Sequence, residues 1–238
     1  KSEFVFPVDV AVDNQNNLYV ADLAKNTVKK FTATGRPVEA FNQQSLGQEF
    51  QSWGNDYGQL NGPIGVMVDQ HDNLYVLEGL NNRIQQFTSN GDYVNSWGSE
   101  DSQVNCNFGE PMSMAIDNHG DFYVRDYSSK ILKVKPYETS CELLTHWGEE
   151  GNLPGQFNEL GGVAVTPDGE RVFLVDSQNN QVQVFKKGLF MGGKAIIVAG
   201  GDPQKSLWDE IEKGAKFAYR TLTYQGFTKE TIYYLSAD

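Results

Sequence analysis

One unit of sequence recurs four times in register, and this recurrence limits the fold more than any other feature of the chain. Segment 62–98 is its best-formed copy. Apolar runs at 64–69 and 73–77 are followed by a polar–apolar alternation at 83–88. A last run at 92–97 follows an Asn90-Gly91 turn. Four short strands joined by tight turns predict a twisted antiparallel meander. One such sheet cannot bury both of its faces, so it requires further copies of itself. The copies are present. Segment 7–13 precedes 18–22, 63–69 precedes 74–78, 111–117 precedes 122–126, and 161–166 precedes 173–176. Tyr19, Tyr75, Tyr123 and Leu174 are spaced 56, 48 and 51 residues apart, a period that fits one four-stranded propeller blade. Trp53-Gly54, Trp97-Gly98 and Trp147-Gly148 recur at the ends of the fourth strands.

The repeated Pro-x-Gly-Val-x-Val-Asp, Asn-x-Tyr-Val-x-Asp and Asn-x-Arg-Ile-Gln-x-Phe pattern, fullest in the second copy, resembles the NHL repeat. The resemblance covers about residues 3–187. It implies a mainly β fold, an NHL-type β-propeller, of which this chain shows four blades of an expected six. Segment 4–7 resembles the tail of an earlier blade, so further blades are expected upstream. Blade one is the longest, with extra residues at 41–50. Tolerated surface length explains them more simply than a binding loop.

The formal net charge is −12, and all of it falls within 1–193, because acidic and basic residues balance in 194–238. Some NHL propellers bind RNA on a basic face. An acidic propeller argues against a nucleic-acid partner, since phosphate contacts need Lys and Arg. No apolar run is long enough for a membrane-spanning helix. Protein or glycan partners are therefore expected, with no membrane insertion. Cys106 and Cys141 fit no zinc spacing. They are either a disulfide or two unrelated thiols.

Asp22, Glu78, Asp126 and Asp176 share one repeated position. Equivalent positions on different blades are spread around a ring, too far apart for a metal or an acid–base pair. A turn-stabilising role is expected instead. His71 and His119 fall in hairpin tips, and His146 falls in a fourth strand, so no metal or other cofactor is expected. The departures from the repeat are more informative. Asp9 and Ser113 stand where other blades have Gly65 and Gly162, and Arg125 stands where others have Ala21, Leu77 and Val175. These three are candidate ligand-binding residues near the central channel. No Ser-His-Asp order or Gly-x-Ser-x-Gly elbow is present, and catalytic residues are expected to be absent.

After residue 187 the pattern changes. A Gly-rich linker at 188–193 leads to a continuous apolar run at 194–201, as in buried parallel strands. Leu207, Ile211, Ala215, Ala218 and Leu222 recur at helical spacing, and 231–235 forms a second strand candidate. This predicts a βαβ unit with a right-handed crossover. Residues 195–200, Ala218-Tyr219, Gly226 and 232–235 resemble the start of a legumain-like C13 cysteine peptidase domain, of caspase-like α/β fold. The resemblance implies a bacterial architecture and a secreted, periplasmic or envelope-associated protein. It places Gly200, Gly201 and Asp202 at the crevice beyond the strand ends. It puts Glu210 where that family carries a substrate-reading Arg, and its catalytic His and Cys beyond Asp238. The expected function is a binding propeller attached to part of such a domain. A propeller lyase or esterase with a channel metal and a non-catalytic scaffold are the alternatives.

Overall fold

The computed structural model describes residues 4–38, 54–98 and 106–186, together with strands Ala195–Ala199 and Ile232–Ser236. Four antiparallel sheets follow one another. The first holds β1 (Pro7–Val12), β2 (Leu18–Asp22) and β3 (Thr27–Phe31), with a 3-10 turn, Leu23–Lys25, between the last two. The second holds β4 (Pro63–Val68), β5 (Leu74–Glu78), β6 (Arg83–Phe87) and β7 (Tyr93–Gly98). The third holds β8 (Pro111–Ile116), β9 (Phe122–Asp126), β10 (Ile131–Pro136) and β11 (Cys141–Trp147). The fourth holds β12 (Leu160–Val165), β13 (Arg171–Asp176) and β14 (Gln181–Lys186). Within each sheet, sequence neighbours are spatial neighbours. The first strands pack consecutively, β1 on β4, β4 on β8 and β8 on β12. That is the arrangement of propeller blades around an axis.

The core consists of three inter-blade layers rather than one central mass. Tyr19, Ala21 and Val28 of blade one meet Val66, Leu74, Val76 and Phe87 of blade two. Tyr75, Leu77, Ile84 and Trp97 meet Phe108, Met114, Phe122 and Val124. Ala115, Tyr123 and Ile131 meet Phe157, Val163, Val172 and Leu174. Alternation of side chains along each strand gives every blade two apolar faces, one for each neighbour.

Every first strand carries a β-bulge near its start, between Pro7 and Asp9, Pro63 and Gly65, Pro111 and Ser113, and Leu160 and Val163. The register also corrects the spacing read from sequence. Phe173 pairs with Ala164 as Tyr123 pairs with Ala115, so Phe173, not Leu174, occupies the tyrosine position of blade four.

The Trp-Gly ends have a steric cause. Gly98 and Gly148 adopt φ of +94° and +101°. A Cβ on Gly98 would lie 2.5 Å from the Asn82 carbonyl oxygen, and one on Gly148 would lie 2.4 Å from that of Ser129. Only glycine fits such a place. Trp53 and the long segment of blade one lie outside the described residues, as does the predicted helix after residue 203. Ala195–Ala199 and Ile232–Ser236 pair in parallel, the pairing expected of the two strands of a βαβ unit.

Candidate functional site

Antiparallel blades present two rims. One rim carries the β1–β2 hairpin tips and their equivalents. The other carries the second-hairpin turns and the segments that lead into each blade.

The hairpin-tip rim is polar and fastened from blade to blade. Asn14 N–H donates to Asp72 at 2.9 Å, Gln70 Nε2 donates to the Asn118 carbonyl at 3.3 Å, and Asn118 N–H donates to the Pro167 carbonyl at 2.8 Å. His71 and His119 sit in these tips. Their backbone N–H groups donate to Asp69 and Asp117 at 2.8 and 2.9 Å.

On the other rim each turn is bonded to its own lead-in segment. Leu23 N–H reaches the Phe6 carbonyl at 3.0 Å, Gly79 that of Gly62 at 2.8 Å, Tyr127 that of Glu110 at 2.8 Å, and Ser177 that of Glu159 at 3.0 Å. Turn residues also reach the next blade. The Asn26 side-chain oxygen accepts from Gly62 N–H at 2.7 Å.

The four repeated carboxylates are buried and fully engaged. Asp22 accepts from Val5 and Phe6 N–H at 2.8 and 3.0 Å, and Glu78 accepts from Asn61 N–H at 3.1 Å and from Arg83 Nε at 2.9 Å. Asp126 accepts from Lys130 N–H at 2.8 Å, and Asp176 accepts from Asn158 N–H at 2.9 Å. In three of the four, a partner thus lies in the lead-in segment, beyond the local turn that the sequence suggested. Burial pushes the Asp22 and Asp176 carboxyls up, but these hydrogen bonds outweigh it and hold both below the ordinary value. For Glu78 burial dominates. Its pKa is raised despite Arg83, Gln85 and Asn81.

One repeated device was missed in the sequence. In the Gly-Gln-Leu-Asn and Gly-Gln-Phe-Asn segments at 58–61 and 155–158, the glycine N–H donates to a strand glutamine, Gln85 or Gln183, at 2.9 Å in both blades. That glutamine donates back to the Gln59 or Gln156 carbonyl at 2.7 Å. The shared Gly-Gln-x-Asn pattern, three residues of four, was the available signal.

Asp9 and Ser113 lie at equivalent blade junctions. Asp9 Oδ2 accepts Val66 N–H of blade two at 2.8 Å, and Ser113 Oγ accepts Val163 N–H of blade four at 3.3 Å. Each thus supplies an acceptor across the bulge, where Gly65 and Gly162 supply none. Arg125 pairs in register with Ser113 and is half-buried. Its Nε is buried without a hydrogen-bond partner among the described residues. Burial lowers its pKa, against the pull of Asp126 and Glu159. Asp9, Ser113 and Arg125 are therefore spread over two different junctions. Gly200, Gly201, Asp202 and Glu210 lie outside the described residues.

Cys106 and Cys141 are joined, with their Cα atoms 6.0 Å apart. The bond ties the segment leading into blade three to the outer strand of that blade. Among the described residues, no three His, Cys, Asp or Glu side chains are grouped to hold a metal, and no helix is long and apolar enough to cross a membrane.

Antiparallel sheets whose first strands pack on one another in sequence order make a β-propeller-like fold. The chain carries an NHL repeat, matched by the family profile over residues 4–31. It is 35% identical over 104 residues to peptidyl-glycine alpha-amidating monooxygenase A of Xenopus laevis, covering 43% of this chain and 11% of that protein. It is 32% identical over 89 residues to NHL repeat-containing protein 2 of Gallus gallus, covering 34% of this chain and 12% of that one. The matches thus span only about a tenth of these relatives' lengths. Among solved structures, a catalytically inactive virginiamycin B lyase from Staphylococcus aureus with quinupristin superposes with a TM-score of 0.52 at 12% identity, over 81% of this chain and 59% of that one. A streptogramin B lyase gives 0.50 at 12% identity, over 82% and 59%. At such identities the likeness is one of fold.

Proposed function

We propose that this chain is a binding module, part of a six-bladed NHL propeller that docks a protein or glycan partner on its second-hairpin rim and carries no catalytic step itself. The observation behind this is a contrast on one rim. The repeated polar residues are spent inside the fold, while Leu80 and Tyr127, in turns that differ from blade to blade, are 71% and 70% exposed. Exposed apolar side chains on a rigid, polar-braced rim are a means of protein recognition. Affinity capture from the native source tests this. Leu80→Asp combined with Tyr127→Asp should lose partners that the parent chain retains, and Gln15→Lys on the opposite rim should keep them. An identical captured set for all three chains would end the reading.

We also propose, on the sequence resemblance alone, that 194–238 opens a C13-like α/β domain; the parallel pairing of β15 (Ala195–Ala199) with β16 (Ile232–Ser236) fits any βαβ unit. This chain alone should not react with thiol-directed peptidase probes, whereas a chain extended past Asp238 should. Failure of the extended chain to label would favour a non-catalytic scaffold. A secreted or envelope location is proposed on the Cys106–Cys141 bond, since disulfides persist in oxidising compartments. The lyase or esterase alternative requires stoichiometric metal in the purified chain, which elemental analysis would detect. His71 and His119 sit in the hairpin tips of two different sheets and do not favour it.

A further inference from the structure

At each junction between described blades, two cross-strand partners beside the bulge face the following blade. They are Asp9 and Ala21 at the first junction, Gly65 and Leu77 at the second, and Ser113 and Arg125 at the third. Ala21 and Leu77 are fully buried there, so an apolar side chain fills this place well. Packing does not call for the arginine of blade three. Arg125 is half-buried, its Nε is buried without an acceptor, and its Nη groups reach the surface with no partner among the described residues. A buried donor left unmet destabilises a fold, so a residue that keeps one calls for another explanation.

Other enclosed cations of this chain are paired. Lys30 lies 3.5 Å from Asp13, Arg83 lies 2.9 Å from Glu78, and Lys133 lies 2.9 Å from Asp121. Arg125 has no such carboxylate among the described residues. Asp126 and Glu159 act on it electrostatically, yet both are engaged elsewhere. Asp126 accepts from Ser128 Oγ at 2.9 Å and from Lys130 N–H at 2.8 Å, and Glu159 accepts from Gln178 Nε2 at 2.5 Å. The bond from Val163 N–H to Ser113 Oγ, at 3.3 Å, joins blades three and four at this same junction, so the arginine stands on a fixed seam. It lies at the end of β9 that enters the second-hairpin turn, and Tyr127, 70% exposed, follows two residues on.

We infer that Arg125 is a carboxylate-binding residue at the seam of blades three and four, and that it receives an acidic group of a protein partner. The two Nη groups present parallel N–H donors, which match the two oxygens of a carboxylate. The negative field of Asp126 and Glu159 favours a monoanion over a phosphate dianion. This inference rests on the rim-binding reading above for the nature of the partner, and it adds the chemical group that the partner must carry.

Proton–nitrogen spectra of the arginine side chains, recorded on the full chain, test the inference. The Arg125 signal is assigned by its loss in Arg125→Leu, which should stay folded because Leu77 fills the same place in blade two. The probes are acetyl-glycyl-glycine with a free carboxylate and its C-terminal amide, at constant ionic strength. The acid should shift the Arg125 signal to saturation, and the amide should leave it in place. Arg125→Lys should bind the acid about tenfold more weakly, because an ammonium lacks the planar fork. A signal that answers both probes alike, or neither, overturns the inference. So does inorganic phosphate acting at lower concentration than the acid, or Arg125→Lys binding as the parent does. The spectra need no captured partner, so this result and the Leu80→Asp, Tyr127→Asp capture result can fail separately.

Discussion

The Tyr75 hydroxyl donates to Asp69 Oδ2 at 3.1 Å, while Asp69 Oδ1 accepts the His71 and Asn73 N–H groups at 2.8 and 2.9 Å. One carboxylate thus closes a hairpin with one oxygen and anchors a core tyrosine with the other. The device recurs as Tyr19 with Asp13 at 3.3 Å and Tyr123 with Asp117 at 3.0 Å. In blade four both partners are replaced together, by Phe173 and Thr166, so neither is left with an unmet group. Tyr75→Phe should therefore cost about 1 kcal/mol in denaturant unfolding. Asp69→Ala should cost more, because it strands several donors. The double variant should fall short of the sum, since the two residues share one bond.

Glu78 and Arg83 form a buried pair at 2.9 Å. Arg83 also donates to the Asn55, Asp56 and Gln59 carbonyls at 2.7, 3.0 and 2.9 Å, so it organises the segment leading into blade two. Arg83→Ala should cost about 3–5 kcal/mol, because it leaves an unpaired buried carboxylate. Arg83→Ala with Glu78→Gln should recover part of that loss in the same denaturation assay.

Stability should fall at both extremes of pH, for separate reasons. Asp22 and Asp176 titrate below their ordinary value when folded. The stability they give is complete above the unfolded pKa and is lost as pH drops through the folded one. Glu78, raised by burial, acts in the opposite sense and softens the acid loss. Tyr123 is pushed up to about 12, chiefly by burial. Its contribution is complete below the ordinary tyrosine value of 10 and disappears as pH rises toward about 12. Melting curves across pH should show Asp176→Asn flattening the acid limb and Tyr123→Phe flattening the alkaline one.

Much of this architecture was legible in the sequence because period-2 strands, Asn-Gly turns and Trp-Gly ends report local geometry. The misplaced Leu174 shows where that legibility stops. Blade four keeps the bulge of the other three but has no tyrosine to mark the position, and the pairing of Phe173 with Ala164 identifies it as the equivalent. The roles of Asp22 and Asp176 were half legible. Their need for backbone donors was clear, but the donors Val5 and Asn158 come from segments that only the closed fold brings near. The Cys106–Cys141 bond was undecidable for the same reason, since spacing does not fix pairing.

Gly98 tests whether the Trp-Gly signal is steric. Gly98→Ala should destabilise strongly, because φ of +94° and a 2.5 Å approach to the Asn82 carbonyl act together. Gly120 has a positive φ of +79° but open space around its Cβ position. Gly120→Ala should therefore carry only the backbone cost, about 1–2 kcal/mol. Equal losses at the two sites in thermal melts would remove the steric explanation.

The disulfide offers the sharpest test of how the blades are held in register. Cys106 and Cys141 are 35 residues apart and lie in the layer that blade three shares with blade two, beside Trp97 and Phe108. Cross-linking a loop of this length removes unfolded-state entropy worth about 3–4 kcal/mol in the chain-entropy account. Cys106→Ser with Cys141→Ser should lower stability by an amount of that order, and reductant should destabilise the parent chain but not the double variant. The bond fastens an outer strand, whereas the Leu77, Ile84, Met114 and Val124 packing lies between the inner strands of the second and third sheets. Loss should therefore begin at β11 (Cys141–Trp147). Hydrogen exchange should rise first in 141–147 while β8 and β9 stay protected. Simultaneous exchange of the whole third sheet would mean that the bond sustains the blade itself rather than its outer edge.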